Sequence, residues 1–80
     1  MPRSPRGSFA TDEFEVRLLG QQLKLRRLRL GLSQRELEAI SGIVQSSISE
    51  IEMGEVVPET LTLVRLVDAL DGRLRIEWRS

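Results

Sequence analysis

Apolar residues recur at helical spacing through most of the chain and change to strict alternation only near its end. Leu19, Leu23 and Leu30 form one stripe along a first segment, while Phe14, Leu18, Leu25 and Leu28 form a second almost opposite to it. Thr11 is placed to cap this helix, with Asp12 and Glu13 in a first turn where the helix dipole favours acids, and Gly31 to stop it after about Leu30. In "LSQRELEAISG" the Ser33 hydroxyl can accept from the backbone N–H of Glu36 while Glu36 reaches back to residue 33. That is a capping box, and it predicts a second helix from Gln34 to Ile40 or Ser41, ended by Gly42 at positive φ. Ile48 and Ile51 share one face of a third helix, Gln45 to about Met53, closed by Gly54. Pro58 breaks the pattern, and Leu63, Leu66, Val67 and Leu70 then define a fourth helix capped by Glu59 or Thr60.

The second and third helices are short, meet through a glycine turn and face their apolar residues inward, which is the layout of a helix-turn-helix. Leu74, Ile76 and Trp78 alternate with Arg73, Arg75, Glu77 and Arg79 after an Asp-Gly turn signal, so residues 72–80 predict a strand. A single strand is unstable, and this one needs a partner. The expected fold is therefore mainly α, four helices over residues 11–71, with a C-terminal β-strand that pairs across a dimer through Leu74, Ile76 and Trp78. Residues 1–10, with two prolines, two arginines and no apolar period, are expected to be a disordered basic arm able to reach a minor groove.

Composition narrows the chemistry. Eighty residues without cysteine or histidine make one small domain and exclude disulfides, zinc fingers and imidazole catalysis. There is no nucleophile paired with a base, no glycine-rich phosphate loop and no metal-spaced cluster, so neither enzymatic activity nor a cofactor or metal is expected. Apolar runs are too short to span a membrane and the N-terminus lacks a signal-peptide core, so a cytoplasmic location is expected. The net charge is zero, yet eight basic residues face three acidic ones up to Arg35, and four face nine beyond it. Such asymmetry points to a phosphate-facing surface, against the alternative of a solvated helix face.

From Leu19 to Leu70 the chain resembles the lambda-repressor-like (XRE-type) helix-turn-helix domains. The residues that carry the likeness are Gly31-Leu32-Ser33-Gln34, Leu37, Gly42, Gln45, Ile48, and Glu52 before Gly54. The expected strand is similar to that of the DNA-binding antitoxins that partner HipA-type kinase toxins. The resemblance implies that helix 3 enters the major groove, with Gln45, Ser46, Ser47, Ser49 and Glu50 at base edges. Ser33, Gln34 and Arg35 would meet phosphate, and Arg27 would form a structural ion pair with Glu52. The implied function is sequence-specific regulation by a homodimer on a double-stranded DNA operator, as a repressor of its own operon and the antitoxin of a toxin protein. The alternatives are a phage or chromosomal regulator without a toxin, and an adaptor that has lost DNA and binds protein.

Four places depart from the family pattern. Glu38 stands where alanine is usual, so its carboxylate must bend outward or find a cation. Val44 replaces the Ser or Thr cap of helix 3 and leaves a backbone donor open, which costs about 1 kcal/mol unless Gln45 or DNA phosphate compensates. Arg26 replaces an apolar core residue, and Glu50 replaces a basic or amide side chain, where it either accepts from cytosine or repels phosphate. The Phe14–Leu28 stripe either widens the core or forms a partner face. Trp78 likewise covers the core or anchors an interface.

Overall fold

The computed structural model describes residues 8–79, so most of the expected basic arm, residues 1–7, lies outside the described residues. Four helices follow in order: α1 Ser8–Arg29, α2 Gln34–Ser41, α3 Gln45–Glu52 and α4 Thr60–Ala69. α1 starts three residues earlier than Thr11, so that residue lies inside the helix and does not cap it. Residues 8–10, expected in the arm, are helical, and the first turn holds no acid.

The capping box forms as expected. The backbone N–H of Glu36 donates to Ser33 Oγ at 3.0 Å, and that of Ser33 donates to Glu36 Oε1 at 2.7 Å. α2 ends at Gly42, whose φ of 79° lies in the left-handed region that favours glycine, and this turns the chain directly into α3. Glu59 takes the cap position of α4 without a side-chain bond. α4 closes through Asp71, at φ 61°, with the backbone N–H of Gly72 donating to the Val67 carbonyl at 2.8 Å and that of Asp71 to Asp68 at 3.0 Å. This is a Schellman closure, so the Asp-Gly pair ends a helix and does not open a hairpin.

α3 lies against both α1 and α2, and α2 against α4. Leu23, Leu37, Ile48, Ile51, Leu66 and Leu70 make the buried core, at about 1.5–3 kcal/mol each for full burial. Leu19, Leu32, Leu63 and Val67 pack around it. The close crossing of α1 and α3 depends on Gly20, where a Cβ would stand 2.1 Å from the Ile51 carbonyl oxygen.

The two apolar patterns weighed as core cover in the sequence stay outside this core. Phe14, Leu18, Leu25 and Leu28 are exposed, so the second stripe of α1 does not widen the core. Residues 73–79 form no strand in the single chain, and Trp78 is 84% exposed and does not cover the core. The physical reason is the lack of a ladder partner: alternation gives a strand one apolar face but cannot satisfy its backbone groups.

Candidate nucleic-acid interface

The centre of the site is a buried ion pair between α1 and α3. Arg27 and Glu52 are 6% and 8% exposed. Arg27 Nε donates to Glu52 Oε2 at 2.7 Å and Nη2 to Oε1 at 2.9 Å, the two-pronged geometry that makes arginine–carboxylate pairs strong. Nη1 donates to the Leu32 carbonyl at 2.7 Å, tying the loop before α2 to the same guanidinium. Burial pushes the Glu52 carboxyl up, but hydrogen bonds from Arg27 and Gln34 and the charges of Arg27 and Lys24 outweigh it, holding the group below its usual range. The Glu52 hydrogen bond raises the Arg27 guanidinium in turn, against the effect of burial.

From this pair a chain of hydrogen bonds runs outward. Gln34 Nε2 donates to Glu52 Oε1 at 3.0 Å, and Gln45 Nε2 donates to Gln34 Oε1 at 3.4 Å. The order of donors follows from the charge. An ionised carboxylate only accepts, so Gln34 must turn its amide nitrogen toward Glu52 and its oxygen toward Gln45. Gln45 then keeps its own oxygen and one N–H free at the N-terminus of α3. Those two groups are the complement of the N6 donor and N7 acceptor of adenine.

Glu38 and Val44, the two family departures in the turn region, meet at the start of α3. Val44 occupies the cap position of α3 and offers no side-chain acceptor. Glu38 Oε1 accepts from the Gln45 backbone N–H at 3.1 Å, so a carboxylate from α2 caps the third helix from outside. Its charge also suits the positive end of the α3 dipole. Ser41 Oγ accepts from the Ile43 N–H at 3.1 Å and steadies the same turn. Arg26, the third departure, sends Nε to the Leu70 carbonyl at 2.9 Å and so satisfies the end of α4.

The expected site residues separate into groups. Arg27, Glu52, Gln34 and Gln45 form the connected network. Ser46 and Glu50, four residues apart, are exposed on the outward face of α3, and Ser49 is half-buried beside them. Ser47 is half-buried and, with Glu50, lines a depression shared with Val56, Pro58 and Thr62. Ser33 uses its oxygen in the capping box but keeps its hydroxyl proton, and Arg35 is exposed next to it. Leu74, Ile76 and Trp78 lie apart from this surface on the exposed tail. Sequence reasoning missed the Glu38 cap and the Gly20 crossing. A signal for the first was present, since a surplus carboxylate at Glu38 and a missing cap acceptor at Val44 stand six residues apart at the same turn.

Two short helices joined by a glycine turn, the second with a fixed polar edge, define a helix-turn-helix protein. The helix-turn-helix family model HTH_3 matches residues 23–76, and the chain belongs to that family, the lambda-repressor-like class. It is 39% identical over 56 residues to an uncharacterized HTH-type transcriptional regulator of Haemophilus influenzae, covering 70% of this chain and 57% of that protein. It is 43% identical over 58 residues to the uncharacterized HTH-type transcriptional regulator y4dL of Sinorhizobium fredii, covering 72% of this chain and 30% of that protein. The chain thus spans between about a third and three fifths of these curated relatives. Its fold is similar to the restriction-modification controller protein C.AhdI of Aeromonas hydrophila, at a TM-score of 0.71 and 30% identity over 74% of this chain and 89% of the other.

Proposed function

We propose that the chain is a sequence-specific DNA-binding regulator that uses α3 in the major groove, with Gln45 reading an adenine. The observation that carries this is the oriented amide: Gln34 and the Arg27–Glu52 pair hold Gln45 with its oxygen and one N–H unspent. Ser46 and Ser49 add adaptable hydroxyl contacts, and Ser33, Gln34 and Arg35 meet phosphate. Glu50 faces outward as a free carboxylate, so it accepts from a cytosine amino group or keeps phosphate at a distance. Affinity from so few cations is modest for one half-site.

A dimer on a two-fold operator follows from this, with half-sites about one helical turn, roughly 34 Å, apart. The exposed alternation of Leu74, Ile76 and Trp78 supports pairing of two tails as strands, each satisfying the other's backbone. Removal of residues 73–80 should then halve the sedimenting mass; an unchanged mass would remove the tails from the interface. As a regulator the protein would repress its own promoter. The similarity to a restriction-modification controller supports a regulator without a toxin, whereas the antitoxin reading has only the tail's alternation in its favour.

The test is a titration against the DNA upstream of the protein's own coding region, at two salt concentrations, with unrelated DNA as control. Specific binding with a shallow salt slope is expected, because few phosphates are neutralised. Equal affinity for both DNAs would favour a protein-binding adaptor.

A further inference from the structure

We propose that the outer face of α1 is a self-association surface on which a second copy of this chain docks antiparallel. It lies opposite the core-facing side of the helix. At roughly 100° per residue, Phe14, Leu18, Gln21, Leu25 and Leu28 fall within an arc roughly 80° wide, centred almost opposite the buried Leu23. Phe14, Leu25 and Leu28 are 62%, 60% and 52% exposed, although α1 is fully formed around them. At ~200 Å² for a large side chain, the stripe offers roughly 400 Å² of apolar area per copy. Two copies would bury about twice that, and the long charged side chains along its edges bring the total toward the range of specific interfaces.

The charges of α1 choose the occupant and its direction. Asp12, Glu13 and Glu15 lie in the N-terminal part of the described helix, where Arg17 is the one cation, and Lys24, Arg26 and Arg29 in its C-terminal part, so the two ends remain opposite in net sign. A parallel copy would set like charge against like. An antiparallel copy sets each acidic end against a basic one and also opposes the two helix dipoles. Among the described residues Glu15 and Arg29 form no salt bridge within the chain. With the two-fold axis at Gln21, Phe14 meets Leu28 of the second copy, Leu18 meets Leu25, and Glu15 comes within reach of Arg29.

Gln21 is the one polar residue of the stripe, placed at its midpoint. Across the axis it meets its own counterpart, where paired amides satisfy each other and any shifted register would bury an amide against leucine. A single polar residue in an apolar helical seam fixes register in this way. The stripe is turned away from the α1 side that packs on α3, so docking leaves Gln45 and Ser46 uncovered. The start of the tail runs along the edge of this face, where Gln22 and Arg26 line the depressions on both sides, while the stripe residues themselves lie outside the tail's depression.

The experiment uses the absence of cysteine from the chain. Gln21→Cys and, as a control at an exposed site elsewhere, Glu55→Cys are oxidised mildly at micromolar protein without DNA, and the disulfide-linked dimer is followed with time. The Gln21→Cys protein should cross-link on the order of a hundredfold faster, since pairing raises the local thiol concentration to the millimolar range. Leu25→Glu in the same background should abolish the advantage, with helix content by circular dichroism confirming the fold. Glu15→Arg should slow cross-linking, and adding Arg29→Glu should restore it. Equal rates for the two cysteine positions would overturn the proposal. Survival of the fast reaction in the Leu25→Glu protein would overturn it too, by assigning the proximity to the tails, and failure of the charge reversal would refute the antiparallel register.

Discussion

Arg27→Met removes the cation from a buried carboxylate and is the sharpest perturbation of the fold. Arg27 supplies two hydrogen bonds to Glu52 and a third to the Leu32 carbonyl, and both charged groups are almost fully enclosed. Leaving one member of such a pair unpaired costs about 3–5 kcal/mol. A domain of this size has only about 4–12 kcal/mol in total, so the variant should be near the limit of folding. At about 4–8 °C per kcal/mol, thermal unfolding by circular dichroism should shift down by roughly 12–40 °C. Arg29→Met, at an exposed position one residue beyond the next, should change little. The double replacement Arg27→Met, Glu52→Leu removes both charges together and should recover most of the loss.

The same pair sets an acid limit. Glu52 has a carboxyl lowered by its partners, so its contribution is complete above the unfolded carboxyl's ordinary range and is lost as pH falls through the folded value. Wild type should therefore lose stability on acidification to a greater extent than the double replacement. Indistinguishable melting of Arg27→Met and Arg29→Met would refute the reasoning, since the burial and the three hydrogen bonds would then carry no weight.

Glu38→Ala should lower stability by about 1 kcal/mol through loss of the α3 cap, and Val44→Thr in that background should restore it by supplying a cap from the usual position; denaturant midpoints measure both. An unchanged midpoint in Glu38→Ala would mean that its bond to the Gln45 N–H contributes nothing to stability. Gly20→Ala should destabilise by more than about 3 kcal/mol, because its methyl would collide with the backbone of α3, which cannot turn aside as a side chain would. A thermal midpoint within a few degrees of wild type would show that α1 and α3 can separate at little cost.

How much of this was legible in the sequence depended on the range of each interaction. The α2 capping box and the Gly42 turn were legible because every atom involved lies within a few residues. The start of α1 was not, since a cap at Thr11 is worth only about 1 kcal/mol and another helical turn can outweigh it. The Arg27–Glu52 pair bridges 25 residues and was reached only through family resemblance. The Glu38 bond to Gln45 joins two helices at an angle that periodicity does not specify. For α1, periodicity produced two stripes but could not say which one meets the core, because both satisfy helical spacing. For the tail, alternation described a strand that only a second chain can complete.

The central claim is that Gln45, oriented through Gln34 and the buried pair, reads a base. The most direct test is a double-mutant cycle on the DNA site that the protein selects: wild type and Gln45→Ala, each titrated on that site and on variants with one adenine of the half-site replaced. Wild type should lose about 1–3 kcal/mol, roughly 10- to 100-fold, at one adenine, and Gln45→Ala should bind more weakly and lose that preference there alone. Gln34→Ala should blunt the same preference without removing phosphate-driven binding. Equal discrimination by wild type and Gln45→Ala at every position would contradict the claim and move base reading to the serines of α3.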